Sequence, residues 1–164
     1  MKTERGGFRM LRREQLLQEL EHDSYKAKRK LPEPTRCPDC GASYREGRWT
    51  WEAAPKGAHR TRCPACQRIH DRFAAGFVTL GGKYFGEHRD DLLRRVRACE
   101  VVEKADHPLQ RIMAIEPHGD GVLVTTTDIH LARRIGEALH DACKGELEFH
   151  YNSEENLLRV AWSR

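Results

Sequence analysis

Cys37-Pro38-Asp39-Cys40-Gly41 and Cys63-Pro64-Ala65-Cys66 are the residues of this chain best suited to chemistry. Four thiolates in two C-x2-C pairs suit a tetrahedral Zn²⁺, because each pair chelates from one tight turn and the two turns close the coordination sphere. The 22 residues between the pairs slightly exceed the usual spacing of such sites, by an amount one β-hairpin absorbs. A proline after each first cysteine stiffens the turn, and Gly41 can take positive φ directly after the first pair. Gln67 stands at the equivalent place in the second pair. Two other chemistries use such cysteines. Disulfides need an oxidising compartment, and a dithiol redox centre usually needs one pair beside a βαβ pattern. The expected chemistry is one structural zinc per chain on Cys37, Cys40, Cys63 and Cys66. His59 and His70 lie nearby in sequence, but either would have to displace a softer ligand.

Four cysteines leave a zinc no open coordination position, so this is not the pattern of a catalytic metal. Nine histidines are scattered without an H-E-x-x-H, G-x-S-x-G or phosphate-loop pattern. His130, with Arg133 and Arg134 at the start of a helix, could form an anion site, and reads better as a solvated helix face. A non-enzymatic protein is expected.

The second kind of chemistry is electrostatic. Residues 1–72 carry 17 Lys+Arg against 10 Asp+Glu, whereas residues 73–164 carry 12 against 15. A basic front half and a mildly acidic rear half fit a nucleic-acid reader with a separate folded module. On that reading Lys26, Lys28, Arg29, Lys30 and Arg36 contact phosphates, and Arg48, Arg60, Arg62 and Arg68 continue the track. Trp49 and Trp51 either pack over the metal site or stack on bases. The alternative is a protein–protein adaptor whose zinc ribbon or acidic C-terminal domain docks on a larger complex.

These residues must be positioned by a small amount of structure. Hydrophobic content is 38% and charged content 33%, so the core is small. Residues 1–36 read as a basic arm and linker, with Met10, Leu11, Leu16, Leu17 and Leu20 suggesting a helix from Arg9 to Glu21. Residues 37–72 read as the zinc ribbon, with Ser43-Tyr44-Arg45 and Arg48-Trp49-Thr50-Trp51-Glu52 flanking a turn at Glu46-Gly47. In a regular strand Trp49 and Trp51 share one face, and Gln67 to Phe73 forms the ribbon exit.

Residues 73–164 read as a small α+β domain. Phe77 to Leu80 is a short strand, and Asp90 to Lys104 is a helix with Leu92, Leu93, Val96, Cys99 and Val102 inward. Arg111–Glu116 and Gly121–Thr127 form a hairpin, and Asp128 caps a helix from Ile129 to Cys143. Glu146–Tyr151 and Leu157–Trp162 follow. The fold class is α+β: a four-cysteine zinc ribbon, then a ββαββ domain with an additional preceding helix and a four-stranded, largely antiparallel sheet. Cys99 and Cys143 are expected as buried free thiols. No membrane span or apolar leader is visible, which together with six cysteines suggests a reducing, cytoplasmic setting.

The order matters as well. A ribbon bearing Arg48-Trp49-Thr50-Trp51 precedes His107-Pro108-Leu109-Gln110-Arg111-Ile112, then Thr125-Thr126-Thr127-Asp128-Ile129-His130-Leu131-Ala132-Arg133-Arg134-Ile135-Gly136. This resembles a family of small bacterial zinc-ribbon proteins over essentially the whole chain. More distantly it is similar to the cysteine-rich and adjoining α+β part of the large-ribosomal-subunit nuclear-export adaptor of archaea and eukaryotes. The resemblance implies binding to ribosomal RNA or the large subunit, and carries metal ligation onto Cys37, Cys40, Cys63 and Cys66. The adaptor has more metal-binding cysteines, and its later domains and export signals have no counterpart in these 164 residues. Transport is therefore not carried over.

Overall fold

The computed structural model describes residues 7–15, 17, 25 and 29–164. Two sheets organise them. The smaller is built from β2 (Thr35–Arg36), β3 (Ser43–Arg45), β4 (Arg48–Thr50) and β5 (His59–Arg60), in the order β4-β3-β2-β5. Its interior is little more than Cys37, Cys63, Ala65 and Cys66, with Cys40, Trp49 and Leu109 packed against them. So few apolar groups do not hold a fold of this size together without a cross-link or a metal.

The larger sheet has six strands in the order β1-β9-β10-β6-β8-β7. These are β1 (Arg9–Leu11), β6 (Gly76–Gly81), β7 (Ile112–His118), β8 (Gly121–Thr126), β9 (Glu146–Asn152) and β10 (Leu157–Ser163). The expected ββαββ order is present in β7, β8, a helix, β9 and β10, but the sheet is not four-stranded. β6 enters its centre, antiparallel to β8 and parallel to β10, and β1 extends its edge beside β9. Val78 and Leu80 of β6 are buried on the helix side while Phe77 and Thr79 face the other way, the alternation of a strand packed on one side.

Among the described residues four helices accompany the sheets: α1 (Pro64–Asp71), α2 (Lys83–Glu87), α3 (Arg89–Asp106) and α4 (Ile129–Cys143). α4 lies across the sheet with Ile129, Leu131, Ala132, Ile135, Gly136, Leu139 and Cys143 buried. Asp128 caps it as expected, its carboxylate accepting from the backbone N–H groups of His130 and Leu131. α3 buries Leu92, Leu93 and Val96. The inward stripe fades at half-buried Cys99, and Val102, expected inside, is 65% exposed beside Val101 at 68%. Cys143 is buried.

The N-terminal segment departs from expectation. Residues 9–11 form a strand rather than the start of a helix, paired to β9 from Arg9 opposite Tyr151 to Leu11 opposite Phe149. Most of the remainder of the expected helix, Leu16 and residues 18–21, lies outside the described residues. No described helix is long and apolar enough to cross a membrane.

Candidate metal centre

The two cysteine pairs are presented by different local structures. In the first, Gly41 takes φ +81° and its N–H returns to the Cys37 carbonyl, while Cys37 N–H donates to the Ala42 carbonyl. This is a tight turn that only a residue tolerant of positive φ completes comfortably. In the second, Cys63 is the N-cap of α1 and Pro64 occupies its first turn. Gln67 therefore sits inside a helix, where no positive φ is required, and this explains its presence where the first pair has glycine. Residues 67–71 of the expected ribbon exit belong to that helix. The N-terminal end of α1 also favours negative charge on its capping sulfur.

All four Sγ atoms lie within 4.8 Å of one another. Cys40 and Cys63 Sγ are 3.8 Å apart, which matches the edge of a tetrahedron with metal–sulfur distances of about 2.3 Å. Cys37, Cys63 and Cys66 are buried and Cys40 is partly exposed. Backbone N–H groups point at the sulfurs, Cys63 N at Cys37 Sγ (3.3 Å) and Cys66 N at Cys63 Sγ (3.4 Å). The set is soft, convergent and supplied with hydrogen-bond donors, so it can hold a metal ion. Among the described residues it is the one cluster of three or more potential ligands, and neither His59 nor His70 belongs to it.

A fifth side chain completes the site. Arg111, immediately before β7, is only 7% exposed. Its Nη1 donates to Cys66 Sγ (3.1 Å), and its Nη2 donates to Cys40 Sγ (3.1 Å) and Cys63 Sγ (3.5 Å). Nε donates to the Pro108 carbonyl at 2.8 Å, and the ring of Trp51 lies 5.7 Å from the guanidinium carbon. The electrostatics follow from this packing. A hydrogen bond from Cys63 holds the Cys40 thiol down at about 4, against the effect of burial and with help from the Arg111 charge. Cys63 is pushed up by the same hydrogen bond and by burial, and Cys66 is raised by burial. Burial acts to lower the Arg111 pKa, but its hydrogen bond to Cys66 and the charges of Cys40 and Cys63 outweigh that and raise it.

The expected RNA-contacting residues separate into groups. Lys26 and Lys28 lie outside the described residues, and Arg29 and Lys30 are exposed. Arg36, Arg48 and Arg60 are exposed as well. Arg62 is engaged by Asp39, with Nε 2.6 Å from the carboxylate. Arg68 does not belong to a surface track: it is 1% exposed, lies over the Tyr25 ring at 4.4 Å, and donates to the Phe73 carbonyl. The helix of the second pair turns it inward, where its length and cation serve packing.

The tryptophans also differ. β4 ends at Thr50, so the two do not share the face of a continuous strand. Trp49 packs against the cysteines and edge-on to Tyr44, at a centroid distance of 5.6 Å. Trp51 is 38% exposed, and its Nε1 donates to the Lys104 carbonyl at the end of α3. Arg133 is paired with Glu137 and Arg134 with Glu103, which removes the open anion site considered at the start of α4.

Half-buried Arg45, whose Nη2 donates to the Ala53 carbonyl, escapes a reading of the sequence alone and shares a face with the exposed arginines through strand register. Arg36 lies opposite Arg60 on one side and Ser43 on the other, while Arg45 lies opposite Arg48. Period-two alternation then sets Arg36, Arg45, Arg48 and Arg60 on one face, and Thr35, Tyr44, Trp49 and His59 on the other, where Trp49 packs against the cysteines. Comparison with protein-family models, curated proteins and solved structures finds no match.

Proposed function

We propose that the protein is a zinc-binding, non-enzymatic RNA-binding protein whose partner is ribosomal RNA, most naturally of the large subunit. Zinc is favoured by four thiolates in tetrahedral spacing with no open position. The single observation that carries RNA binding is the face bearing Arg36, Arg45, Arg48 and Arg60. Like charges directly opposite on neighbouring strands destabilise a sheet. Arg45 is eased by Glu52, 3.8 Å away, but the others have no carboxylate partner among the described residues. A polyphosphate chain is the partner that turns this arrangement from a cost into an attraction. The metal supplies rigidity, so the arginines meet the backbone already arranged. The ribosomal assignment comes from the resemblance of motif order.

The test is binding of the zinc-loaded chain to structured and single-stranded RNA over a range of salt. Replacing Arg36, Arg48 and Arg60 with glutamate should weaken binding across all sequences. The slope of log affinity against log salt should flatten by about 0.7 for each single-strand phosphate no longer neutralised. Unchanged affinity and slope with full zinc content would contradict the proposal. Exposed Val101 and Val102, beside an apolar cleft lined by Ala98, Cys99 and Ala138, favour the second reading, a protein adaptor docking through α3. Binding of that kind should be insensitive to salt.

A further inference from the structure

His107-Pro108-Leu109-Gln110-Arg111-Ile112 and Thr125-Thr126-Thr127 are distinctive in sequence and lie outside the arginine face. Both converge on the metal centre. Leu109 packs on the cysteine cluster, and the Pro108 carbonyl holds Arg111 Nε. Thr127 fixes the backbone of the same segment. Arg111 N–H donates to Thr127 Oγ1 (2.9 Å), Thr127 N–H to the Arg111 carbonyl (2.9 Å), and Thr127 Oγ1 to the Leu109 carbonyl (2.6 Å). Ile112 N–H donates to the Glu100 carboxylate of α3. The guanidinium is therefore aimed from the large sheet into the small one, and it reaches three of the four sulfurs.

A buried guanidinium needs charge partners, because burying an unpaired cation is among the costliest events in a fold. No carboxylate is paired with Arg111 among the described residues; beside the Pro108 carbonyl and the Trp51 ring, its partners are three sulfurs. Sulfurs paired as disulfides cannot fill that role, and neutral thiols accept hydrogen bonds weakly. Thiolates can, and four thiolates crowded within 4.8 Å are held together by a cation of their own. A divalent ion with four thiolates still carries surplus negative charge, which a guanidinium then offsets through N–H···S bonds.

We propose that Arg111 is a positioning residue of the metal centre, and that its clasp makes metal loading the condition for seating the ribbon on the larger sheet. With the metal in place, Arg111, Leu109 and Trp51 bind the two units together. Without it, the guanidinium loses its partners and the 107–112 segment loosens at its attachment to Thr127. The metal then governs how the arginine face is held relative to the rest of the molecule, as well as the fold of the ribbon.

This rests on metal binding by the four cysteines and is independent of RNA. The experiment uses the full chain, with Co²⁺ as a spectroscopic probe, chelator competition, and hydrogen exchange with and without metal. In the wild type, removing the metal should raise exchange at the Ile112 and Thr127 amides while leaving the β9–β10 pairing protected. Arg111→Gln should load Co²⁺ about 10–100-fold more weakly, as expected for loss of a hydrogen-bonding partner of a ligand. Its Ile112 and Thr127 amides should exchange alike with and without metal. Arg111→Lys should recover part of the affinity, since it keeps the charge but not the fork of donors. Should Arg111→Gln not fold, the wild-type exchange comparison and Arg111→Lys still decide. A wild-type chain that takes up no Co²⁺ overturns the metal reading and this one with it. An Arg111→Gln chain that loads as tightly as wild type overturns the clasp alone, as do wild-type amides indifferent to metal.

Discussion

The four clustered cysteines and their neighbours show how local and distant information differ in a sequence. The four cysteines were legible because each pair chelates within four residues and its spacing alone restricts the geometry. Arg111 was not, since its role depends on a bond to Cys66 across 45 positions, and nothing local separates it from a surface arginine. Arg68 misled for the same reason, as a cation in a basic segment that folds inward onto Tyr25 and Phe73. Proton release on zinc binding tests the site at this scale. Cys63 and Cys66 have raised pKa values from an ordinary 9.0, so the metal-free protein keeps protons on both near neutral pH while Cys40 is already a thiolate. Zinc binding must displace at least the protons of Cys63 and Cys66, and affinity must fall as pH falls. Calorimetry in buffers of different ionisation enthalpy should return at least two protons released per zinc; release of none would show that the thiols are ionised beforehand.

Elements with a strong local period were readable: α4 falls on Ile129–Cys143 as its stripe and the Asp128 cap dictate, and the two C-terminal hairpins follow their turns. The strand at Arg9–Leu11 was not, because Met10, Leu11, Leu16, Leu17 and Leu20 fit a helical spacing while its partner β9 lies at the other end of the chain. β6 was visible as a strand but its place between β8 and β10 was not, since pairing order is set by the closing of the whole sheet. Gly136 marks a close approach of α4 to the sheet. A Cβ there would lie 2.5 Å from Val160 Cγ1 and 3.0 Å from Leu147 Cδ1. Alanine normally favours a helix over glycine by about 1 kcal/mol, but overpacking of a close helix–sheet approach costs roughly 1–3 kcal/mol. Gly136→Ala should therefore lower Tm, read by thermal melting with zinc bound, and a raised Tm would mean that α4 stands off the sheet.

At the scale of the whole molecule, a four-cysteine ribbon with an arginine face is fastened to the six-stranded sheet through Arg111 and to the end of α3 through Trp51. The charge asymmetry along the chain acquires a spatial meaning, because Arg36 and Arg60 lie opposite one another on neighbouring strands of the ribbon and Arg48 lies on the same face of that sheet, while the acidic balance belongs to the sheet domain. Such a division suits a protein that binds an anionic surface with one unit and is held in shape by the other. Sedimentation of a gently prepared lysate through a sucrose gradient tests this most directly. The protein should travel with the large ribosomal subunit at low salt, and should move to the top of the gradient at high salt or when Arg36, Arg48 and Arg60 are replaced by glutamate. A wild-type protein found only at the top of the gradient at low salt would contradict ribosomal RNA binding.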